Sequence, residues 1–401
     1  MTKRLIVPQH YNGISRRKFL NNAGLALSAA AAGQTLFPRG ARAAGAASGS
    51  DNVIRVLGVV TAAPKSWEAF EKATGFTVEW TPIADDAGIF LHEMMANDAG
   101  ERYDIVTCFS GTYEILAEQG LLMPIETAKL SNWGGLPEPI KRATQMKDEG
   151  NAWSIPVLLN ADSFAYSYTD LGEPEPPNEV SWKILYDDQR TMGKVAIDNG
   201  IFAITCCAIY LKYHGLVEIS DIANMTRSEC NSVADYLIER KKAGQFRTLY
   251  KSYDEQVQLL ANREVLAETC WEPAALDAKS KGLDVAYAYA IEGYDKWSQN
   301  LMVPAQVADR GGSEKTYALI DYFMGGAYAA EKSATEGYVT PRPDLGLAFA
   351  EGNGWSVEEI DAIRVSIEKV DKKFIKDLFW NPGYFNNLEY YENAMAKFKN
   401  A

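Results

Sequence analysis

A chain of 401 residues, 47% apolar and 23% charged, is too long for one simple core, and two domains are expected. Seven of the 40 Lys and Arg residues and none of the 53 acids fall in the first 43 positions, leaving 33 basic against 53 acidic residues in the remainder. That excess argues against nucleic acid or an anionic membrane as a partner; it fits a cationic ligand, although a solvated acidic face accounts equally for most of it.

Ser15-Arg16-Arg17-Lys18-Phe19-Leu20 precedes a mild Ala/Leu/Gly stretch at 23–32, then Arg39 and Arg42 beside an A-x-A site. Paired arginines, a weak apolar core and a small-residue cleavage site predict a twin-arginine export signal over 1–43. A small-residue linker at 44–52 follows. Export of a folded protein to the periplasm through the twin-arginine translocase is the expectation, and the absence of a Cys near the cleavage site argues against a lipid anchor.

Residues 53–60 form a nearly continuous apolar run, as in a strand buried on both faces. Pro64, Trp67, Phe70 and Glu71 predict a helix closed by Thr74-Gly75, with Pro64 in its first turn. Strands at 76–80 and 103–108, a helix at 89–97 and another opening at Ser110-Gly-Thr-Tyr-Glu complete a βαβαβα alternation, which implies parallel strands with crossover helices. Further on, the pattern predicts strands at 163–168 and 193–198, helices at 203–213 and 228–243, and a strand from 265 that stops at Trp271-Glu272-Pro273 before a helix at 274–281. An apolar stretch at 285–291, Trp297, a strand at 300–304 and a helix at 314–324 come next. Ser356-Val-Glu-Glu359 is a capping-box pattern, with Ile360, Ile363, Ile367, Val370 and Phe374 at helical spacing after it and a last helix at 389–399. A ring and a carboxylate at the carboxyl end of a strand stand where open α/β sheets bind ligands.

Phe70-Glu-Lys-Ala-Thr-Gly75-Phe-Thr-Val, Tyr103-Asp-Ile-Val, Glu118-Gln-Gly-Leu-Leu, Trp153-Ser-Ile-Pro156, Val180-Ser-Trp182 and Tyr338-Val-Thr-Pro341 resemble, in order and spacing, the extracellular solute-binding proteins of ABC importers, closest to the spermidine/putrescine-binding branch. The resemblance spans the mature chain. It implies the α/β type II periplasmic-binding fold, two lobes with mostly parallel sheets flanked by helices and a ligand cleft between them. Residues 53–158 and 300–346 would form lobe 1; 159–299 and 347–401 would form lobe 2. A monomer that captures a polyamine or a smaller amine by hinge closure and presents it to a membrane permease is the implied function, without catalysis.

In that family aromatic rings box the amine, and Trp271, Trp297 and Tyr338 fall on three such positions. Without the resemblance, three core aromatics would be an adequate account. Other matched positions depart from the family. Gln299 stands where polyamine binders carry an acid, Gly200 and Ala203 replace further acids, and Gly58 and Val59 replace an aromatic turn. A buried ammonium needs a carboxylate, and Glu272, Asp198, Asp85 and Asp86 are the candidates, each of which reads equally as a loop carboxylate except Glu272. Ser110 opens a helix whose N–H groups or hydroxyl would line the cleft, or acts as an ordinary helix cap.

The rival readings are a type II binder of sugar, ferric ion or a carboxylated metabolite, and an exported enzyme. Tyr390-Tyr391 is similar to the paired tyrosines of ferric binders but sits in the last helix, where packing is expected. Against an enzyme, no P-loop, dinucleotide fingerprint or nucleophile elbow occurs. Five cysteines at 108, 206, 207, 230 and 270 lack metal-ligand spacing, and a Cys207–Cys230 bridge stays open. No metal or cofactor is expected.

Overall fold

Aliphatic runs bounded by glycines and polar turns become strands here, and the amphipathic segments between them become helices. The computed structural model describes residues 52–84, 86–143, 146–148, 151–174, 178–310 and 313–401; residues 1–43, where an export signal is expected, and Asp85 lie outside the described residues. By contacts the chain divides into two units, the first holding the described residues to Leu158 with Ser298–Lys332 and Thr340–Trp355, the second Leu159–Trp297, Ser333–Val339 and Ser356–Ala401. The second crossing falls after Trp297 rather than after 299. Residues 347–355, expected in the second lobe, belong to unit 1, because they continue a helix that begins there.

Unit 1 is built on β1 (Val53–Val59), which pairs in parallel with β2 (Thr77–Ile83) on one side and β3 (Ile105–Phe109) on the other. Helix α1 (Glu68–Thr74) connects β1 and β2 and ends at Gly75, whose φ of 75° is a left-handed cap that costs glycine nothing. Pro64 lies ahead of that helix, separated from it by Lys65, Ser66 and Trp67, so it does not occupy the first turn. Gly58 of β1 has a different reason for being glycine: a Cβ there would come 2.1 Å from the Trp80 ring of β2. Helix α2 (Ala87–Ala96) is capped by Asp86, whose carboxylate accepts the Ile89 N–H at 2.8 Å, and α3 (Thr112–Glu118) follows β3.

Unit 2 is entered along β4 (Ile155–Ser167), every residue of which is buried. The sequence pattern predicts only its second half, because Pro156, Asn160 and Asp162 interrupt the apolar run. After β4 come β5 (Val195–Asp198), α4 (Ile201–Tyr213), α5 (Arg227–Lys242) and β6 (Phe246–Tyr250). Then follow α6 (Tyr253–Ala261), β7 (Ala267–Cys270), α7 (Glu272–Ser280) and β8 (Val285–Tyr287). Strand β5 lies parallel between β6 and β7, whereas β4 runs antiparallel to both β7 and β8. The parallel expectation holds for the βαβ portion; the antiparallel members are the long strand β4 and its neighbour β8.

One feature of this sheet breaks the rule that buried polar groups are partnered. Glu268 of β7 sits opposite Ala165 and Ala196, which belong to a buried cluster with Tyr250, Val257, Leu260 and Cys270. It is wholly buried, and neither carboxylate oxygen has a hydrogen-bond partner. Both amide atoms of Gln256 on α6 are in the same condition. Burial holds the Glu268 carboxyl well above its usual range, with Glu255 adding repulsion.

Strand β9 (Asp295–Pro304) returns the chain to unit 1, where residues 299–302 pair antiparallel with β3. Trp297 therefore stands inside a strand, not ahead of one. Three helices follow, α8 (Ser313–Phe323), α9 (Gly326–Glu336) and α10 (Pro343–Gly352). The sequence pattern shows only the first of these. In unit 2, Ser356 and Glu359 form both arms of a capping box on α11 (Val357–Lys369). A five-residue π turn, Val370–Phe374, continues that helix. The last helix, α12 (Leu388–Asn400), packs on α4 and α5. Tyr391 is spent in this packing: its hydroxyl donates to the Ile222 carbonyl at 2.6 Å and accepts the Met225 N–H at 2.8 Å. Cys206, Cys207 and Cys230 are buried thiols, and no bridge joins Cys207 to Cys230. Among the described residues no helix is long and apolar enough to cross a membrane.

Candidate functional site

Strand β7 ends at Cys270, and Trp271 takes an extended conformation at the start of α7, with Pro273 in the first turn where no backbone donor is missed. This turn leaves the Trp271 ring 46% exposed. Glu272, the next residue, turns inward. Its carboxylate lies 2.7 Å from the Lys369 ammonium, with side-chain exposures of 14% and 3%. Lys369 also donates to the Gly337 carbonyl at 2.8 Å. Burial alone would raise the pKa of Glu272, but Lys369 and then Lys373 outweigh it and hold the carboxyl below its usual range. The acid expected to meet a ligand ammonium is already neutralised by its own unit.

Alternate residues of a strand share a face, so Asp295 and Trp297 of β9 project together, as do Asn160 and Asp162 of β4. The Trp297 indole N–H donates to Asp162 at 2.7 Å, and the Asn160 amide donates to the other Asp162 oxygen at 3.1 Å. Tyr338 stands edge-on to Trp297, with ring centroids 5.8 Å apart at 72°. Asp162 is 3% exposed, and among the described residues no cation lies within ion-pair distance of it. Burial pushes its carboxyl well above the usual range; Asp295 adds to the rise, and the Trp297 N–H opposes it. Burial also lifts Asp295 to about 6, against hydrogen bonds from Thr205 and Asn381 at 2.7 and 2.9 Å.

Lys373, in the π turn, completes this polar group. Its ammonium sits 4.6, 5.0 and 5.5 Å from the ring centroids of Tyr287, Tyr289 and Tyr294. It has no hydrogen-bond acceptor among the described residues, and burial lowers it to about 8 although Glu272 opposes the shift. The Tyr287 hydroxyl is fixed by the Ser163 N–H at 2.7 Å and donates to the Cys270 carbonyl at 3.0 Å.

The other expected residues take different places. Gln299 is buried in unit 1 and bonds through its amide to the Thr61 hydroxyl, at 2.6 and 2.8 Å for the two amide atoms. Ser110 is buried and its N–H donates to the Ser298 carbonyl at 3.1 Å. The cap position of α3 falls on Gly111, so Ser110 is not the N-cap. Asp198 closes the turn after β5 by accepting the Gly200 N–H at 2.5 Å, a structural role that leaves it half-buried.

Thus the structure brings Trp297 and Tyr338 together, leaves Trp271 on the surface and spends Glu272 and Asp198 internally. Asp162, Asn160, Lys369 and Lys373 are absent from the sequence-derived site. Two signals pointed to them: an Asn-x-Asp pair inside an otherwise apolar strand, and lysines four apart on the apolar face of a helix.

Two α/β units linked by crossing strands, with a buried ring-and-carboxylate constellation, define a binding protein of the type II periplasmic-binding fold. The sequence profile described as bacterial extracellular solute-binding protein matches residues 65–354, and the chain belongs to that family. The spermidine/putrescine-binding periplasmic protein of Salmonella typhimurium is 24% identical over 290 residues, covering 69% of this chain and 74% of the relative. Among solved structures, a putative extracellular solute-binding protein from Bordetella parapertussis has a TM-score of 0.63 at 14% identity, covering 87% of this chain and 98% of that one. The spermidine/putrescine substrate-binding protein of Streptococcus pneumoniae gives 0.61 at 16% identity, with the same coverage.

Proposed function

We propose that this chain is the substrate-binding component of an ABC importer, exported to the periplasm through the twin-arginine route. It captures a small organic solute bearing one ammonium group, removes it from water by hinge closure and delivers it to a membrane permease, without catalysing a reaction. The observation that carries this reading is the Trp297–Tyr338 pair beside Asp162, a buried acid with no cation on it among the described residues. Spermidine/putrescine binding in the relatives supports an amine as ligand. A diamine is disfavoured because it needs two open carboxylates, and Glu272 and Asp198 are both occupied.

Titration calorimetry on the mature protein tests the ligand class. Heat is expected from a monoamine or an amino acid with a terminal ammonium group; heat from sugars alone, with none from any amine, would overturn the reading. A ring facing a desolvated cation contributes about 0.5–2 kcal/mol. Trp297→Ala is therefore expected to weaken amine binding roughly 2- to 30-fold, and Trp271→Ala, at an exposed ring, to weaken it less. Equal losses in the two variants would show that Trp271 is as much a part of the site as Trp297.

A further inference from the structure

We infer that Asp162 is the carboxylate that receives the ligand's ammonium group in this protein, in place of the acids sought at Glu272 and Gln299. The inference rests on the amine reading above and goes further by naming the acid and the proton it moves. Three observations carry it. Asp162 is buried, yet among the described residues its only hydrogen bonds come from two neutral donors, the Trp297 indole and the Asn160 amide. Of the other described carboxylates considered for this role, Glu272 is ion-paired with Lys369, Asp198 closes its turn and Asp86 caps α2. Finally, the indole that Asp162 holds belongs to the ring paired edge-on with Tyr338, so carboxylate and aromatic surface are fixed to each other by a bond of 2.7 Å.

A buried acid without a counter-ion keeps its proton. The groups facing Asp162 explain the balance: Asp295 on β9 and Glu272 on α7 disfavour ionisation, whereas the Trp297 N–H and Lys373 of the π turn favour it. Tyr287 of β8 lies against the same region through its bond to the Ser163 N–H. Arrival of an ammonium supplies the missing cation. The carboxyl O–H bond breaks, its electron pair stays on oxygen, the proton leaves to solvent base, and the carboxylate accepts an N–H from the ligand. Binding thus releases up to one proton. Affinity for an amine rises with pH until the raised value of the empty protein is reached, by up to about tenfold per pH unit.

Calorimetry of the mature protein with a monoamine, in two buffers of different ionisation heat, reads both parts of the inference. Asp162→Asn keeps an oxygen for the Trp297 indole and removes the charge. Loss of a charge-assisted hydrogen bond predicts roughly 10- to 150-fold weaker binding, and the variant should show no proton release and a flat pH profile. Asp86→Asn, at the exposed cap of α2, is the control, expected to keep the proton release of the unaltered protein. If Asp162→Asn binds the amine as tightly as the unaltered protein, with the same release, Asp162 is not the acceptor although the amine reading stands. If the unaltered protein binds no amine, the amine reading falls and takes this one with it. Should Asp162→Asn fail to fold, the unaltered protein still decides: amine binding without proton release at any pH between 5 and 7 would overturn the inference.

Discussion

Replacing Lys369 by Met is expected to cost unit 2 about 3–5 kcal/mol of stability at neutral pH, the usual result of stripping a buried carboxylate of its cation. Lys369 and Glu272 are nearly sealed from water and their charged atoms are 2.7 Å apart. Only Lys373 would remain to hold the acid, and it is itself a poorly solvated ammonium. The remedy is specific: adding Glu272→Gln to Lys369→Met should recover most of the loss, because the uncompensated charge disappears. The pH dependence follows from the lowered pKa of Glu272. In the unaltered protein the pair's contribution is complete above the ordinary carboxyl value of 4.5 and is lost as pH falls through the lower folded value. In Lys369→Met the sign reverses, and acidification should restore stability. Denaturant unfolding at pH 7 and pH 4 reads all three outcomes; a single variant as stable as the unaltered protein would show that Glu272 does not depend on Lys369.

Glu268→Leu should act in the opposite direction, raising stability at pH 7 by about 1–3 kcal/mol, the cost of a buried polar group left without partners. The carboxyl is held well above its usual range by burial, so the folded state retains a proton that the unfolded chain gives up. Stability from this group is therefore complete below the ordinary value of 4.5 and declines as pH rises from there toward the folded value. Leucine removes that decline, and the gain should grow between pH 5 and pH 8. A loss of stability in Glu268→Leu would mean instead that an internal water joins Glu268 to Gln256, whose amide is equally unpartnered.

Much of the fold could be read along the chain because its signals are local. The alternation of β1, α1, β2, α2 and β3 shows in residues 53–109, and Ser356 with Glu359 marks the start of α11 before any packing is known. Helices α9 and α10 were illegible for a physical reason: 326–336 and 343–352 are rich in Gly, Ala and Glu, and apart from Tyr328 their buried apolar residues are small side chains that look like loop composition. The π turn has no local signal either, since Val370 and Phe374 keep the four-residue spacing of an ordinary helix. For the site, the rings were legible from the family likeness, Trp297 and Tyr338 among them. The acids were not. Glu272 and Lys369 are 97 positions apart, and nothing in either neighbourhood announces that one consumes the other. Asp162 looked like an interruption of a strand, because its partner is an indole 135 residues away.

All five cysteines are buried, and burial raises the thiols of Cys206, Cys207 and Cys270 far above their usual range and that of Cys230 to about 12. A thiolate is the reactive form, so the native sulfurs are slow targets for maleimide reagents. A cysteine introduced at an exposed surface position can then carry a fluorophore in an otherwise unaltered chain, and the emission of that dye would follow solute capture in real time.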